Sequence, residues 1–162
     1  MVRITKIKCQ DLLEFVNSAV YLQFKNKPIS VLRAQSYMHN VHGEKEDVVL
    51  YMAFIKNELV GYRTVFKDVF YYKNTLQNFG WLSGNWVHPN YRRKNISTML
   101  FNEVLKDWDN RLMYSNYAEA SKAVYDKTNF FDTLQSLHGI RYYRRVCFAE
   151  VLPPKGELKK MK

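Results

Sequence analysis

The sequence predicts a mixed α/β domain: a mostly antiparallel central sheet with helices packed on its faces. Three observations carry that prediction. The apolar run "VVLYMAFI" (48–55) and the long alternating run "LVGYRTVFKDVFYY" (59–72) are separated only by Lys56-Asn57-Glu58, the spacing of a hairpin. On both sides of this block, apolar residues recur at helical spacing. The order that results, β-α-α-β-β-β-α-β-α-β, sets an antiparallel block ahead of a β-α-β crossover.

Taken in order, "VRITKIK" (2–8) alternates loosely and reads as a first strand. Gln10 and Asp11 open "DLLEFVNSAVYLQF", where Leu12, Phe15, Val16, Ala19, Tyr21 and Leu22 keep the spacing of one amphipathic helix. After Pro28, "SVLRAQSYMHN" predicts a second helix with Ser30 near its N-cap. "HGEKED" (42–47) is a polar loop leading into the hairpin. "LQNFGWLSGNWVHP" (76–89) is a third long strand, in which Gly80 and Gly84 point to a bulge or a close backbone approach. Ile96, Met99, Leu100, Val104, Leu105 and Trp108 then share one helical face. "LMYSNYA" (112–118) predicts a buried strand and "EASKAVYDKTNF" (119–130) a short helix. One or two closing strands are expected over 133–152. Residues 1–152 are read as a single domain and "PPKGELKKMK" (153–162) as a basic tail or linker.

Composition narrows the function classes. At 162 residues, 47% hydrophobic and 15% aromatic, the chain can bury a core of its own. Its longest apolar run is too short to span a bilayer. The N-terminus "MVRITKIKCQ" has no signal-peptide core, so a cytoplasmic protein is expected. Cys9 and Cys147 suggest neither a disulfide framework nor a zinc site, and His39, His42 and His138 show no ligand spacing, so no metal is expected. The net charge of +10 admits nucleic acid, an anionic surface or a polyphosphorylated ligand as partner.

The stretch "VHPNYRRKNISTML" (87–100) selects among these partners. It runs from a strand through Arg92, Arg93 and Lys94 into an amphipathic helix. A helix N-terminus carries partial positive charge and unpaired N–H donors, so three cations there oppose the dipole unless an anion lies between them and the backbone. Strand, tight basic loop and helix together have the physics of a phosphate cradle.

"VHPNYRRKNIS" resembles the acyl-CoA signature of the GNAT acyltransferase superfamily, V-x-P-x-[YF]-[RQ]-x-x-[GA]-x-[GA]. Val87, Pro89, Tyr91 and Arg92 match in register. "AVYDKTNFF" (123–131) is similar to the family's second motif, a helix ending L-Y-x-x-x-G-F, with Val124, Tyr125 and Phe130 in place. Asn95 and Ser97 stand where the family has Gly or Ala, and Asn129 where it has Gly; asparagine enters the left-handed region at modest cost. The resemblance implies the GNAT fold, acetyl-CoA or another acyl-CoA as co-substrate, and transfer of a short acyl group to an amine by direct attack. It also implies that main-chain groups of Trp86 and Val87 hold the pantetheine arm. Backbone N–H groups of Arg93, Lys94, Asn95, Ile96 and Ser97 would hold the pyrophosphate, with Arg92, Arg93 or Lys94 reaching phosphate oxygens.

Tyr125 occupies the position where many members use a tyrosine as general acid towards sulfur, a role suited to a phenol. The base is open. No carboxylate lies between Asp68 and Glu103, leaving Ser83, Asn85 and His88 on the third long strand. The reading from a different class is a GNAT-like module that binds without turnover, or a basic nucleic-acid or protein-interaction domain. "RYYRR" (141–145) is the segment that would stack on single-stranded nucleic acid, but a closing strand is favoured there. The acceptor is an amine on a small molecule or a peptide, selected by the first two helices and residues 66–78. "DVFYYKNTLQ" (68–77) is an edge equally suited to a homodimer.

Overall fold

A computed structural model describes residues 1–115 and 119–132. The elements run β1 (Val2–Lys8), a 3₁₀ turn (Cys9–Asp11), α1 (Leu12–Asn17), α2 (Ala19–Gln23), α3 (Val31–Met38), β2 (Val48–Ile55), β3 (Glu58–Tyr72), β4 (Thr75–Val87), a second 3₁₀ turn (Pro89–Tyr91), α4 (Ile96–Asp107), β5 (Leu112–Met113) and α5 (Glu119–Thr128). Residues Met1–Phe131 form one compact unit. The closing strands expected over 133–152, "RYYRR" within them, and the basic tail 153–162 lie outside the described residues.

Among the described residues the sheet has the order β1-β2-β3-β4-β5. The first three pairings are antiparallel and β4–β5 is parallel, so the expected mixed sheet is present. β2 is apolar throughout because both its faces are covered. Leu50, Met52 and Phe54 pack with Leu12, Val16 and Tyr37 on the α1–α3 side. Tyr51 and Ala53 pack with Leu100, Phe101, Val104 and Tyr125 on the α4–α5 side.

One helical expectation changes. The single helix expected from Asp11 is broken into α1 and α2 at Ser18, whose backbone is extended (φ −75°, ψ 151°). Its hydroxyl donates to the Phe15 carbonyl at 2.7 Å and accepts from the Tyr21 N–H at 3.1 Å, so it closes one helix and caps the next. Of the strand expected over 112–118, Leu112 and Met113 are ladder-paired, and residues 116–118 lie outside the described residues. Ser30 caps α3 as expected, accepting from the Arg33 N–H.

β3 and β4 form the longest hairpin, closed by Lys73 and Asn74, both left-handed (φ 45° and 60°). Its tip carries exposed Tyr71, Tyr72 and Leu76. The ladder slips between Thr64 and Val65: Thr64 faces Gly84 and Val65 faces Leu82, leaving Ser83 as the extra residue of a bulge. Both glycines of β4 are tight. A Cβ at Gly84 would lie 2.5 Å from Thr64 Oγ1, and one at Gly80 would lie 2.4 Å from Val65 Cγ1.

Candidate active site

Among the described residues, β5 meets β4 at Gly80 and Trp81. Beyond the bulge, β4 runs from Gly84 to Val87 paired on one side by β3, with no ladder partner on the other among the described residues. That free edge ends at the basic loop. The Trp86 ring is stacked on Tyr62, centroids 5.5 Å apart, and Val87 pairs with Gly61. The sequence reading passed over Gly61. A Cβ there would come within 2.9 Å of Ile96 Cγ2 and 3.1 Å of the Trp86 carbonyl, so its lack of a side chain lets the start of α4 seat on the sheet.

The loop itself is wound tightly. His88 Nδ1 accepts the Asn90 N–H at 3.2 Å and caps the 3₁₀ turn, a structural use of a side chain that stood among the candidate bases. Arg93 (φ 61°) and Asn95 (φ 58°, ψ 12°) are both left-handed. Asn95 is the N-cap of α4 yet gives no side-chain cap. The first-turn N–H groups, with no partners inside the helix, therefore remain available to an outside acceptor. Arg92, Arg93, Lys94 and Asn95 are exposed around them and Ile96 is buried. Lys94 Nζ sits over the Tyr91 ring, and the Tyr91 hydroxyl donates to Glu58 at 2.8 Å. That bond holds the Tyr91 phenol above its usual range, with burial and the Glu58 charge adding to it.

Tyr125 is carried by α5, which ends at Thr128; Asn129 follows with φ 47°, the left-handed residue expected before Phe130. The phenol is buried among Phe101, Tyr114 and Phe131. Its oxygen accepts a 2.8 Å hydrogen bond from Arg63 Nη1. Arg63 Nη2 also reaches Ser97 Oγ, in the first turn of α4, at 3.4 Å. Asn85 Nδ2 lies 3.4 Å from the same Ser97 Oγ and 3.2 Å from Ser121 Oγ on α5. Ser97 and Tyr125, 28 positions apart, are thus joined through one side chain of β3. Nothing local in "LVGYRTVF" marks that arginine as buried, and the sequence reading missed it along with Ser121.

On the opposite face of the bulge, Ser83 Oγ lies 3.0 Å from Thr64 Oγ1 and is hydrogen-bonded to the Tyr37 hydroxyl. A cavity of about 990 Å³ lies between the first two helices and the sheet, touching the end of β4 at Trp86 and His88. Among the described residues, no group of three or more His, Cys, Asp or Glu side chains is arranged to hold a metal. No described helix is long and apolar enough to cross a membrane.

The β4 edge left unpaired among the described residues, the left-handed loop and the uncapped helix lie together where an extended ligand carrying a pyrophosphate could be accommodated. The pattern of the acetyltransferase (GNAT) family matches residues 14–130. A ribosomal-protein-alanine N-acetyltransferase from Brucella melitensis biovar Abortus 2308 superposes with a TM-score of 0.54 at 20% identity, over 88% of this chain and 100% of that one. The aminoglycoside antibiotic 6'-N-acetyltransferase AAC(6')-Ih from Acinetobacter baumannii gives 0.56 at 15%, over 88% and 99%. A predicted acetyltransferase with acetyl-CoA from Clostridium acetobutylicum gives 0.57 at 16%, over 86% and 96%. No curated protein matches by sequence. At these identities the structures speak for the fold, while the family match spans both the basic loop and Tyr125: the chain belongs to the acetyltransferase (GNAT) family.

Proposed function

We propose that this protein is an N-acetyltransferase that moves an acetyl group from acetyl-CoA to an amine by direct attack. The observation that carries the reading is the loop 92–97, where two left-handed residues, an uncapped helix N-terminus and three exposed cations lie within one short stretch. A pyrophosphate is the ligand such a spot suits. Trp86 and Val87 would hold the pantetheine arm with main-chain groups, since the outer edge of β4 has no strand partner among the described residues.

Bound acetyl-CoA supplies a thioester, whose carbonyl carbon gains a bond to the amine nitrogen as its bond to sulfur breaks. Tyr125 donates its phenolic proton to the departing sulfur and regains one from water. The proton lost by the amine passes to solvent. Ser83, hydrogen-bonded to Thr64 and Tyr37, offers a hydroxyl chain for that transfer in place of a carboxylate. The acceptor would enter the cavity under α1 and α2, which presents carboxylates (Asp11, Glu14, Glu58) and cations (Arg3, Lys25) together. An amine on a small molecule or on a protein is therefore the acceptor class proposed, in keeping with the aminoglycoside and ribosomal-protein enzymes among the structural neighbours.

The test is calorimetric titration of acetyl-CoA at moderate salt, with dephospho-CoA and ATP as controls. One-site saturable binding of both CoA species, lost when Arg92 and Lys94 are changed to Ala, is expected. Absence of binding by any CoA species would overturn the reading and leave the chain a GNAT-fold module with another partner.

A further inference from the structure

We infer that Arg63 is a positioning residue for Tyr125, an inference that rests on the acyl-transfer reading above and adds to it a residue of β3. None of Arg63's surface is exposed. A guanidinium stays charged in proteins and only donates hydrogen bonds. Burying one is expensive unless a carboxylate pairs with it, and no ion pair reaches Arg63 among the described residues. Its Nε has no hydrogen-bond partner among them either. What it has instead is the Tyr125 hydroxyl at 2.8 Å, Ser97 Oγ at 3.4 Å, and the rings of Phe101 and Tyr125 at 5.4 and 5.5 Å. An apolar residue at this place would serve the core better. The arginine is explained by what it does to its partners.

Because Arg63 has no acceptor, the phenol oxygen must accept in their contact, and the phenolic proton is turned away from the guanidinium. That fixes the rotor of a proton donor. When the proton moves to the departing sulfur, the negative charge left on the oxygen already faces an N–H donor that need not reorganise. Nothing else in the contact changes, and water restores the proton. The same guanidinium touches the first turn of α4, so a single side chain sets the spacing between donor and phosphate loop. Its contribution therefore belongs to the chemical step more than to cofactor binding.

A double-mutant cycle tests this by free-CoA release from acetyl-CoA, with a panel of amines and with water alone. Arg63→Met is expected to lower kcat about 30-fold with KM for acetyl-CoA within about threefold. Arg63→Lys should recover part of the loss, and it replaces Arg63→Met in the cycle should the latter not fold. In a Tyr125→Phe background the Arg63 change should cost nothing further. A second readout needs no ligand: in protein labelled at tyrosine ring ¹³Cζ, the resonance that vanishes in Tyr125→Phe should move in Arg63→Met and return towards its place in Arg63→Lys. Additive losses in the cycle, or an unmoved resonance, would overturn the role of Arg63 while leaving Tyr125 as donor. Full kcat in Tyr125→Phe would remove Tyr125 as donor and this inference with it, while no CoA release by the unaltered protein would remove the function itself as well.

Discussion

Arg93 and Asn95 take left-handed backbone on either side of Lys94, and only asparagine does so at modest cost. The exchange of a family glycine for Asn95 was legible in the sequence for that reason, whereas nothing in "RRK" announced Arg93. Arg63 was illegible altogether, since its burial is made by α4 and α5 closing over one face of β3. Local sequence records what a backbone can adopt; it does not record what will later cover a side chain. Asn95 gives the residue-scale prediction. Asn95→Gly should keep acetyl-CoA affinity within about threefold, because glycine reaches φ 58° freely. Asn95→Val, β-branched and strained there by about 1–2 kcal/mol or more, should weaken calorimetric affinity about tenfold. Equal affinity in the two variants would mean that the loop's N–H groups are not what the ligand meets.

The long strands were readable because β2, β3 and β4 keep apolar or alternating patterns over eight to fifteen residues. The break between α1 and α2 was not, since apolar spacing continues through Ser18 while its hydroxyl takes both neighbouring backbone groups. The seating of α4 on the sheet has a polar counterpart at its other end, where Lys6 of β1 lies 2.9 Å from Glu103 and 2.7 Å from Asp107. Hydrogen bonds from Lys106 and Lys6 hold the Glu103 carboxyl below its usual range against the opposing pull of burial. A depressed carboxyl adds stability that is whole above its unfolded pKa, about 4.3, and is lost as pH falls through the lower folded value. For Lys6 burial works downward, yet hydrogen bonds to Asp107 and Glu103 raise it, so its share is whole below about 10.4 and fades only at higher pH. With these side chains a quarter to a third exposed, Lys6→Met should lower unfolding free energy by about 0.5–1 kcal/mol at pH 7. The difference should shrink towards zero near pH 3. Urea unfolding at the two pH values measures it, and a deficit that persisted in acid would assign the effect to the ammonium lying over the Tyr51 ring.

At the scale of the whole molecule, the candidate site is an assembly of pieces that are distant in sequence. β4 supplies an edge unpaired among the described residues, α4 an open N-terminus, α5 the phenol and β3 the cation that links them. The motifs at 87–97 and 123–131 revealed the first three of these pieces because each motif is local. The fourth, Arg63, emerges only when both motifs are folded against the same strand. A ligand lying along β4 with its pyrophosphate at α4 would therefore bind the assembled state and not its separated parts. Linkage then requires stabilisation: at a hundredfold excess over Kd, acetyl-CoA should add about 2.7 kcal/mol, a rise in Tm of roughly 5–10 °C for a domain this size. Dephospho-CoA, which keeps the pyrophosphate, should give most of that rise, and adenosine should give none. Equal shifts from adenosine and acetyl-CoA would show that the base, not the phosphate loop, carries recognition, and the role assigned to residues 92–97 would have to be given up.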